Sequence, residues 1–229
     1  MQPATTEPAG STSGAPDRVD PRTQRSVAAL REAVLALAAQ QEPSAILVTD
    51  LVKAAGVSRK TFYNHAVTPV ELLIRVLTDE LDAARDRAEA QFSMAADDLA
   101  SAVRRRLTGI LQHVSDRRAV YLSPAGDRLS PELFQMLSSR FRNAVELSIA
   151  ESYRVAPVVS GFDDAAHRAA AIEMSASFVG HAYAGAIQAW LQHPEVGEVD
   201  FVLDLIWAAL PAWMTERPSS GSGFGRVES

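Results

Sequence analysis

The sequence of 229 residues contains no cysteine. Disulfides, thiolate metal sites and cysteine nucleophiles are therefore excluded, and we expect a protein of the reducing cytoplasm. No apolar run approaches the roughly 18 residues at which a helix can cross a bilayer. The N-terminal segment also lacks the order of basic and then apolar residues that is typical of a secretion signal. The remaining composition, 47% hydrophobic and 22% charged, is typical of a globular protein.

Positive charge is scarce overall and concentrated in one segment. The formal net charge is −6. Residues 1–21 contribute −2, from one basic and three acidic residues, and residues 76–229 contribute −7, from 14 basic and 21 acidic residues. Residues 22–75 carry seven Lys or Arg against four Asp or Glu, a net of +3. A local cationic region in an acidic chain is the electrostatic pattern of a nucleic-acid contact.

Composition and periodicity divide the chain into four segments. Residues 1–21 and 216–229 have few large apolar side chains to offset the entropy of ordering, so they are predicted to be a disordered arm and a flexible tail. In the sequence between them, apolar residues recur at helical spacing nearly throughout, and no long stretch alternates apolar and polar residues as a strand does. It predicts an all-α protein with a three-helix unit at 22–70 and a larger regulatory and dimerisation domain at 71–215.

Start and stop signals place the helices within these segments. Thr49 is a candidate N-cap for a short helix at 49–55, and Gly56 suits the left-handed position that ends it. Ser58 caps the next helix, and Thr68-Pro69 opens a long helix toward residue 92. The first helix has an apolar stripe of Val27, Leu30, Val34, Leu37 and Ala38. Later helices are predicted at 97–116, 131–154, 164–192 and 199–214.

The stretch "AAGVSRKTFYNHAVTPVELL" (54–73) contains a short helix with many polar side chains. Successive helical side chains rotate by about 100°, so a helix that buries Phe62 and Ala66 points Asn64 outward, with Lys60 and Thr61 beside it. Asn can bind adenine through two hydrogen bonds, Lys can reach guanine, and the Thr methyl can contact thymine.

The edges of the same helix carry Arg59 and Tyr63 on one side and His65 on the other. Such positions suit DNA phosphates, which fix the register without reading sequence. A helix, a tight glycine turn and a second exposed helix form the helix-turn-helix geometry. The predicted DNA-binding residues are Thr49, Ser58, Arg59, Lys60, Thr61, Tyr63, Asn64 and His65. The alternative is a solvated surface helix with an aromatic lid.

These residues resemble the DNA-binding signature of the TetR family of bacterial transcription regulators over about residues 24–80. The matching positions are Ala55, Gly56, Val57, Ser58, Thr61, Phe62, Tyr63, His65, Leu72 and Leu73. The resemblance implies a homodimer that binds a pseudopalindromic double-stranded operator. It also implies a repressor that a small molecule, bound by the C-terminal part, releases from DNA.

The sequence departs from the family pattern at three positions. Ala66 stands where Phe is usual, so the hydrophobic plug there is smaller or comes from Val67. Pro69 stands where a phosphate-binding Lys is frequent, and Leu47 where a capping Ser or Thr is common. We therefore expect one fewer phosphate contact per subunit. The departures also motivate an alternative function, a helical small-molecule binding protein whose DNA-binding motif is degenerate.

The two last predicted helices, 164–192 and 199–214, form the predicted dimer contact. Gly180, Ala184 and Gly185 permit close approach of a neighbouring helix, and two helices from each subunit would make a four-helix interface. The alternative is that both helices are interior to a monomer. A pocket for an apolar or amphipathic effector is assigned to Tyr121, Phe134, Phe141, Met174, Phe178 and His181, although each residue of this kind taken singly is more often plain core.

Enzymatic and metal-dependent functions find little support. The five histidines have no metal-ligand spacing, and the acidic pairs precede predicted helices, where capping explains them. We therefore expect no enzyme, no cofactor and no metal. The run Arg104, Arg105 and Arg106 is interpreted as a solvated face or a partner of nearby acids, with a second DNA contact as the alternative.

Overall fold

The computed structural model describes residues 21–90, 99–126, 128–150, 156–157, 159–162 and 164–215. Helices and one isolated antiparallel bridge, between Leu122 and Leu129, make up its regular structure, so the all-α prediction is confirmed. The elements are α1 (Pro21–Ala38), a 3₁₀ turn (Pro43–Ala45), α2 (Val48–Ala55), α3 (Arg59–Tyr63), α4 (Pro69–Ala90), α5 (Leu99–Asp116), α6 (Arg118–Tyr121), α7 (Pro131–Ala150), α8 (Ala165–Leu191), α9 (Val199–Ala209) and α10 (Ala212–Thr215).

The helix α4 connects the N-terminal helices to the rest of the chain. It packs against α1 and the 3₁₀ turn as well as against α5 and α7. Leu73, Leu77 and Leu81 are fully buried at successive turns of this helix, as its apolar period predicts. The buried residues of the N-terminal and C-terminal helices therefore belong to one continuous core.

The pair α7 and α8 is the most extensively packed pair of helices. Gly180 lies so close to α7 that an added Cβ would stand 2.5 Å from the carbonyl oxygen of Ser138 and 2.9 Å from the backbone nitrogen of Arg142. The rings of Phe141 and Tyr183 stack between the two helices, 4.6 Å apart. Gly180 thus permits the close approach of a neighbouring helix, as predicted, and that helix is α7 of the same chain. Ala184 is likewise fully buried within the single chain. The dimer contact itself stays a prediction.

Three expectations are corrected. Val27 is 44% exposed, so the buried stripe of α1 begins at Leu30. Residues 199–214 form two helices, because Pro211 offers no backbone N–H and its ring crowds the preceding turn. Thr49 does not cap α2, since the N-cap is Leu47 and no side chain bonds there.

Several other predictions lie outside the described residues. They concern the arm up to residue 20, the helix start at Asp97 or Asp98, the end of the seventh helix near Arg154, and the tail from residue 216. Within the described ranges, no helix is both long and apolar enough to cross a membrane.

Candidate nucleic-acid interface

A tight glycine turn orients α3 relative to α2. Gly56 adopts φ 64° and ψ 30°, a left-handed conformation that costs glycine little, and its N–H bonds to the carbonyl oxygens of Lys53 and Val52. Two residues later the hydroxyl of Ser58 accepts a hydrogen bond from the backbone N–H of Thr61 at 3.0 Å. The predicted glycine stop and serine cap are therefore both confirmed, and together they fix where α3 begins.

One aromatic side chain anchors α3 to the core. Phe62 is fully buried, and its ring meets that of Tyr63 edge to face with centroids 5.2 Å apart. Ala66 is buried behind it, 4% exposed, whereas Val67 is 73% exposed. The hydrophobic plug is therefore the smaller alanine, and Val67 does not take its place.

The opposite face of α3 is open to solvent. Arg59, Lys60 and Asn64 are exposed, and Tyr63 is 58% exposed. No side-chain hydrogen bond or ion pair joins Arg59, Lys60 or Asn64 to the rest of the described chain. These groups are free to bind an external partner, and two of them are cationic.

The remaining predicted DNA-binding residues contribute differently. Thr61 is half-buried, and its hydroxyl lies 2.9 Å from that of Ser58, so these two oxygens largely satisfy each other. His65 is half-buried at the end of the turn that follows α3. Thr49 is exposed in the first turn of α2, with its hydroxyl free of any capping role.

The start of α4 is capped by its own side chains. The Thr68 hydroxyl accepts a hydrogen bond from the N–H of Glu71 at 3.1 Å, and the Glu71 carboxylate accepts one from the N–H of Val67 at 2.9 Å. Pro69 is buried at the first helical position. The Glu71 carboxylate also pairs with the exposed Arg75 at 2.6 Å. The expectation of one fewer phosphate contact stays a prediction.

The two helices of the predicted dimer contact expose a stripe of apolar side chains, which we call the α8–α9 stripe. It consists of Met174, Phe178, Phe201 and Leu205, between 53% and 72% exposed. Each pair is spaced by four residues, so each pair lies on one face of its helix. Gly185 lies on the same face of α8 with nothing within 4 Å of an added Cβ.

The two clefts that the described residues form around His113 are lined by none of the six predicted effector-binding residues. Tyr121 and Phe141 are core residues, and Met174 and Phe178 belong to the α8–α9 stripe. His181 is exposed beside Phe134, with ring centroids 6.2 Å apart. The effector pocket stays a prediction.

A buried polar cluster between α1, α4 and α5 was missed from the sequence. The carboxylate of Glu80 is 13% exposed and forms ion pairs with Arg31 at 2.9 Å and with Arg117 at 3.0 Å. His113 lies against it, with Nδ1 at 3.9 Å, and burial lowers the pKa of this imidazole. The available signal was a carboxylate within the apolar run of α4, three residues after Leu77 and one before Leu81.

Arg104 serves the fold. Its guanidinium bonds to the carboxylate of Asp204 on α9 and lies over the ring of Trp207, 5.4 Å from the centroid. The interpretation of Arg104 as a partner of nearby acids is therefore confirmed.

Comparisons with known proteins agree with this architecture. No protein-family model and no curated protein matches the chain. Among solved structures, it is similar to a proposed TetR family transcription regulator from Shewanella sp. PV-4 (TM-score 0.50, 17% identity, covering 80% of this chain and 97% of that one). It is also similar to the fatty acid degradation regulator FadR from Bacillus halodurans (TM-score 0.50, 14% identity, covering 85% and 98%). At such low identities the likeness establishes the fold, that of helical TetR-like regulators.

Proposed function

We propose that this chain, which has the fold of TetR-like transcription regulators, is a sequence-specific DNA-binding regulator. The observation that carries the proposal is the solvent-exposed face of α3. There, two cations and an amide stand free beside a left-handed glycine turn, while Phe62 anchors the helix from behind. A helix held by one apolar residue and polar over its outer surface suits the major groove of a duplex.

The charges support the same assignment. Segment 22–75 is net cationic in a chain of net charge −6, so positive charge is concentrated in the segment that contains the helices that would face DNA. We assign Lys60 and Asn64 to base edges, and Arg59 and Tyr63 to phosphates. Thr61 would offer its methyl group, because its hydroxyl is bonded to Ser58. Thr49, Ser58 and His65 complete the proposed contact surface.

We propose further that the active form is a homodimer joined through the α8–α9 stripe. A monomer that leaves Met174, Phe178, Phe201 and Leu205 exposed presents large apolar side chains to solvent on two neighbouring helices, as protein interfaces do. Pairing the stripe with its own copy would form a four-helix contact around a two-fold axis. Two α3 helices related by that axis would match a pseudopalindromic site.

The direction of regulation follows from the resemblance alone: a repressor that leaves DNA when a small molecule binds the C-terminal helices. The competing function is a helical small-molecule binding protein that no longer binds DNA. That alternative loses part of its motivation, since Ala66 is buried in place and α3 keeps both its cap and its anchor. A DNA-binding experiment separates the two.

The experiment selects a preferred duplex from random oligonucleotides and titrates it at about 50 and about 200 mM salt. Wild type should show a steep salt dependence and bind the selected duplex at least ~10³-fold more tightly than a scrambled one. Arg59→Gln should weaken binding to all sequences, whereas Asn64→Ala should mainly relax preference at one base pair, by about 1–3 kcal/mol. Arg128→Gln, which removes an exposed arginine far along the chain, is the matched charge control.

Two outcomes would overturn the proposal. One is equal affinity for selected and scrambled duplexes at both salt concentrations. The other is a set of α3 variants that bind as tightly as Arg128→Gln does. Either result would favour the small-molecule binding protein.

A further inference from the structure

A second cationic site lies on the side of the molecule where α1 meets α4 and α5. It is a cleft of about 470 Å³, within the range of about 300–1,000 Å³ that is usual for small-molecule sites. Its lining is almost entirely polar. The cleft is lined by Arg31, Glu80, Ala83, Arg87, His113, Asp116 and Arg117.

The arginines of the cleft hold more hydrogen-bond donors than its acids use. Both oxygens of Glu80 are occupied, one by Arg31 and both by the bidentate contact of Arg117, at 2.9 to 3.1 Å. A guanidinium has five N–H donors, so Arg31 and Arg117 each keep donors beyond these bonds. Arg87 forms no ion pair with any described residue. Three cations against Glu80 and Asp116 leave the cleft with a net positive charge.

A buried imidazole in the same cleft has an unfilled hydrogen bond. The side chain of His113 is 8% exposed, and its Nε2 atom has no partner within the described chain. Leaving a buried polar atom unpaired costs about 1–3 kcal/mol, and a polar ligand atom that bonds to Nε2 would remove that cost. Burial also lowers the pKa of this imidazole, so the ring is neutral near pH 7 and offers a hydrogen bond without adding charge.

We infer that this cleft binds a small anion carrying a carboxylate or phosphate group. Arg87 would supply the first ion pair, and the spare donors of Arg31 and Arg117 would complete the contact with the anion. His113 would bond to a polar atom in the rest of the ligand. The site is separate from the α3 face. Of the residues assigned to an apolar effector, Tyr121 lies beside it, with its ring edge to face with that of His113 and the centroids 5.9 Å apart.

The position of Arg31 links a ligand in this cleft to the N-terminal helices, which include α3. Arg31 belongs to α1, and its bond to Glu80 ties that helix to the middle of α4. An anion bound to the spare donors of Arg31 would share its positive charge with Glu80 and so weaken this ion pair. On the proposed function, and only on it, the anion would then change the affinity for DNA.

The test titrates the full chain with inorganic phosphate and, separately, with succinate, at constant ionic strength, by calorimetry. We expect saturable binding of at least one probe, and the tighter probe identifies whether phosphate or carboxylate is preferred. Arg87→Gln should weaken that binding at least about 10-fold, because it removes an exposed cation and should not disturb folding. The matched variants Arg128→Gln and Arg59→Gln should bind the probe as wild type does.

Absence of saturation with both probes would overturn the inference. Equal weakening of probe binding in Arg87→Gln and Arg128→Gln would also overturn it, because it would indicate a general effect of charge. A loss of probe binding confined to Arg59→Gln would locate the anion at α3 and would overturn it too.

The DNA titration is then repeated with the tighter probe. A chain that binds the probe but no duplex refutes the proposed function alone, and one that binds duplex but no probe refutes this inference alone. A probe that binds and leaves duplex affinity unchanged refutes the link through Arg31.

Discussion

A methyl group added at Gly180 tests the closest helix contact in the molecule. In Gly180→Ala the new Cβ would lie 2.5 Å from the Ser138 carbonyl oxygen and 2.9 Å from the Arg142 nitrogen, whereas ordinary contacts begin at 3.4 Å. Both neighbours are backbone atoms of α7, so no side-chain rotation can relieve the overlap. The two helices must move apart by several tenths of an ångström, which opens gaps elsewhere along the pair.

The expected magnitude comes from two opposing effects. Replacing glycine by alanine inside a helix stabilises it by about 1 kcal/mol when there is room. Overpacking a close-packed contact costs about 1–3 kcal/mol, and contact with backbone puts this case at the upper end. Gly185→Ala in the same helix adds the same methyl group where nothing lies within 4 Å. The difference in unfolding free energy between the two variants should therefore be about 2–3 kcal/mol, with Gly180→Ala the less stable.

The measurement is urea or thermal unfolding of wild type and both variants over a series of protein concentrations. For a chain of this length the difference corresponds to roughly 4–12 °C in melting temperature. Gly185 lies on the α8–α9 stripe, so any effect of its variant on dimerisation would depend on concentration, while the Gly180 effect would not. A Gly180→Ala protein as stable as Gly185→Ala would refute the close packing of α7 on α8.

Three further outcomes are expected. Ser58→Ala should lower the unfolding free energy by about 1 kcal/mol in urea titrations, while Ser58→Asp, which can still cap α3, should restore most of it. Burial holds the pKa of His113 in the folded chain below its usual 6.5. As the pH falls, the imidazole is therefore protonated in the unfolded chain before it is in the folded chain, and the free energy of unfolding should decrease below pH 6.5. That decline should be shallower in His113→Gln than in the exposed-site control His181→Gln, by up to about 1.4 kcal/mol per pH unit; equal slopes would contradict the burial argument. Phe178→Asp should shift the chain toward monomer in analytical ultracentrifugation, whereas Leu147→Asp, at an exposed apolar position of α7, should not; an unchanged dimer would remove the α8–α9 stripe from the interface.

Local signals were sufficient for the N-terminal helices. Gly56, Ser58 and Thr68 act through bonds to residues at most four positions away, so the turn, the cap and the start of α4 could be predicted from sequence. Phe62 could be placed inward by the rotation per residue alone. The solvent-facing side of α3 follows from the same rotation.

Local sequence signals were not sufficient to predict the packing of the later helices. The helix α8 is apolar on nearly all sides, so periodicity could not tell that Gly180 faces α7 while Phe178 faces solvent. The break at Pro211 was missed because apolar residues continue through Trp213 and Met214. The partners of Glu80 come from helices far apart in sequence, and only the folded chain brings them together.

Gly109 and Gly180 each allow two helices to pack with their backbones in contact. Gly109 would place a Cβ 2.8 Å from the carbonyl oxygen of Ala84, so α5 rests on the backbone of α4 much as α8 rests on that of α7. Backbone-to-backbone contacts have no rotamers to rearrange. The pair α4 and α5 and the pair α7 and α8 should therefore each move as a rigid body. Between the two helix pairs, the long side chain of Arg140 on α7 bonds to Asp82 on α4 and can change rotamer without breaking that bond. Relative motion within this protein should therefore occur mainly between the two pairs. Mutations that weaken the contact between the pairs should change this motion before they change the free energy of unfolding.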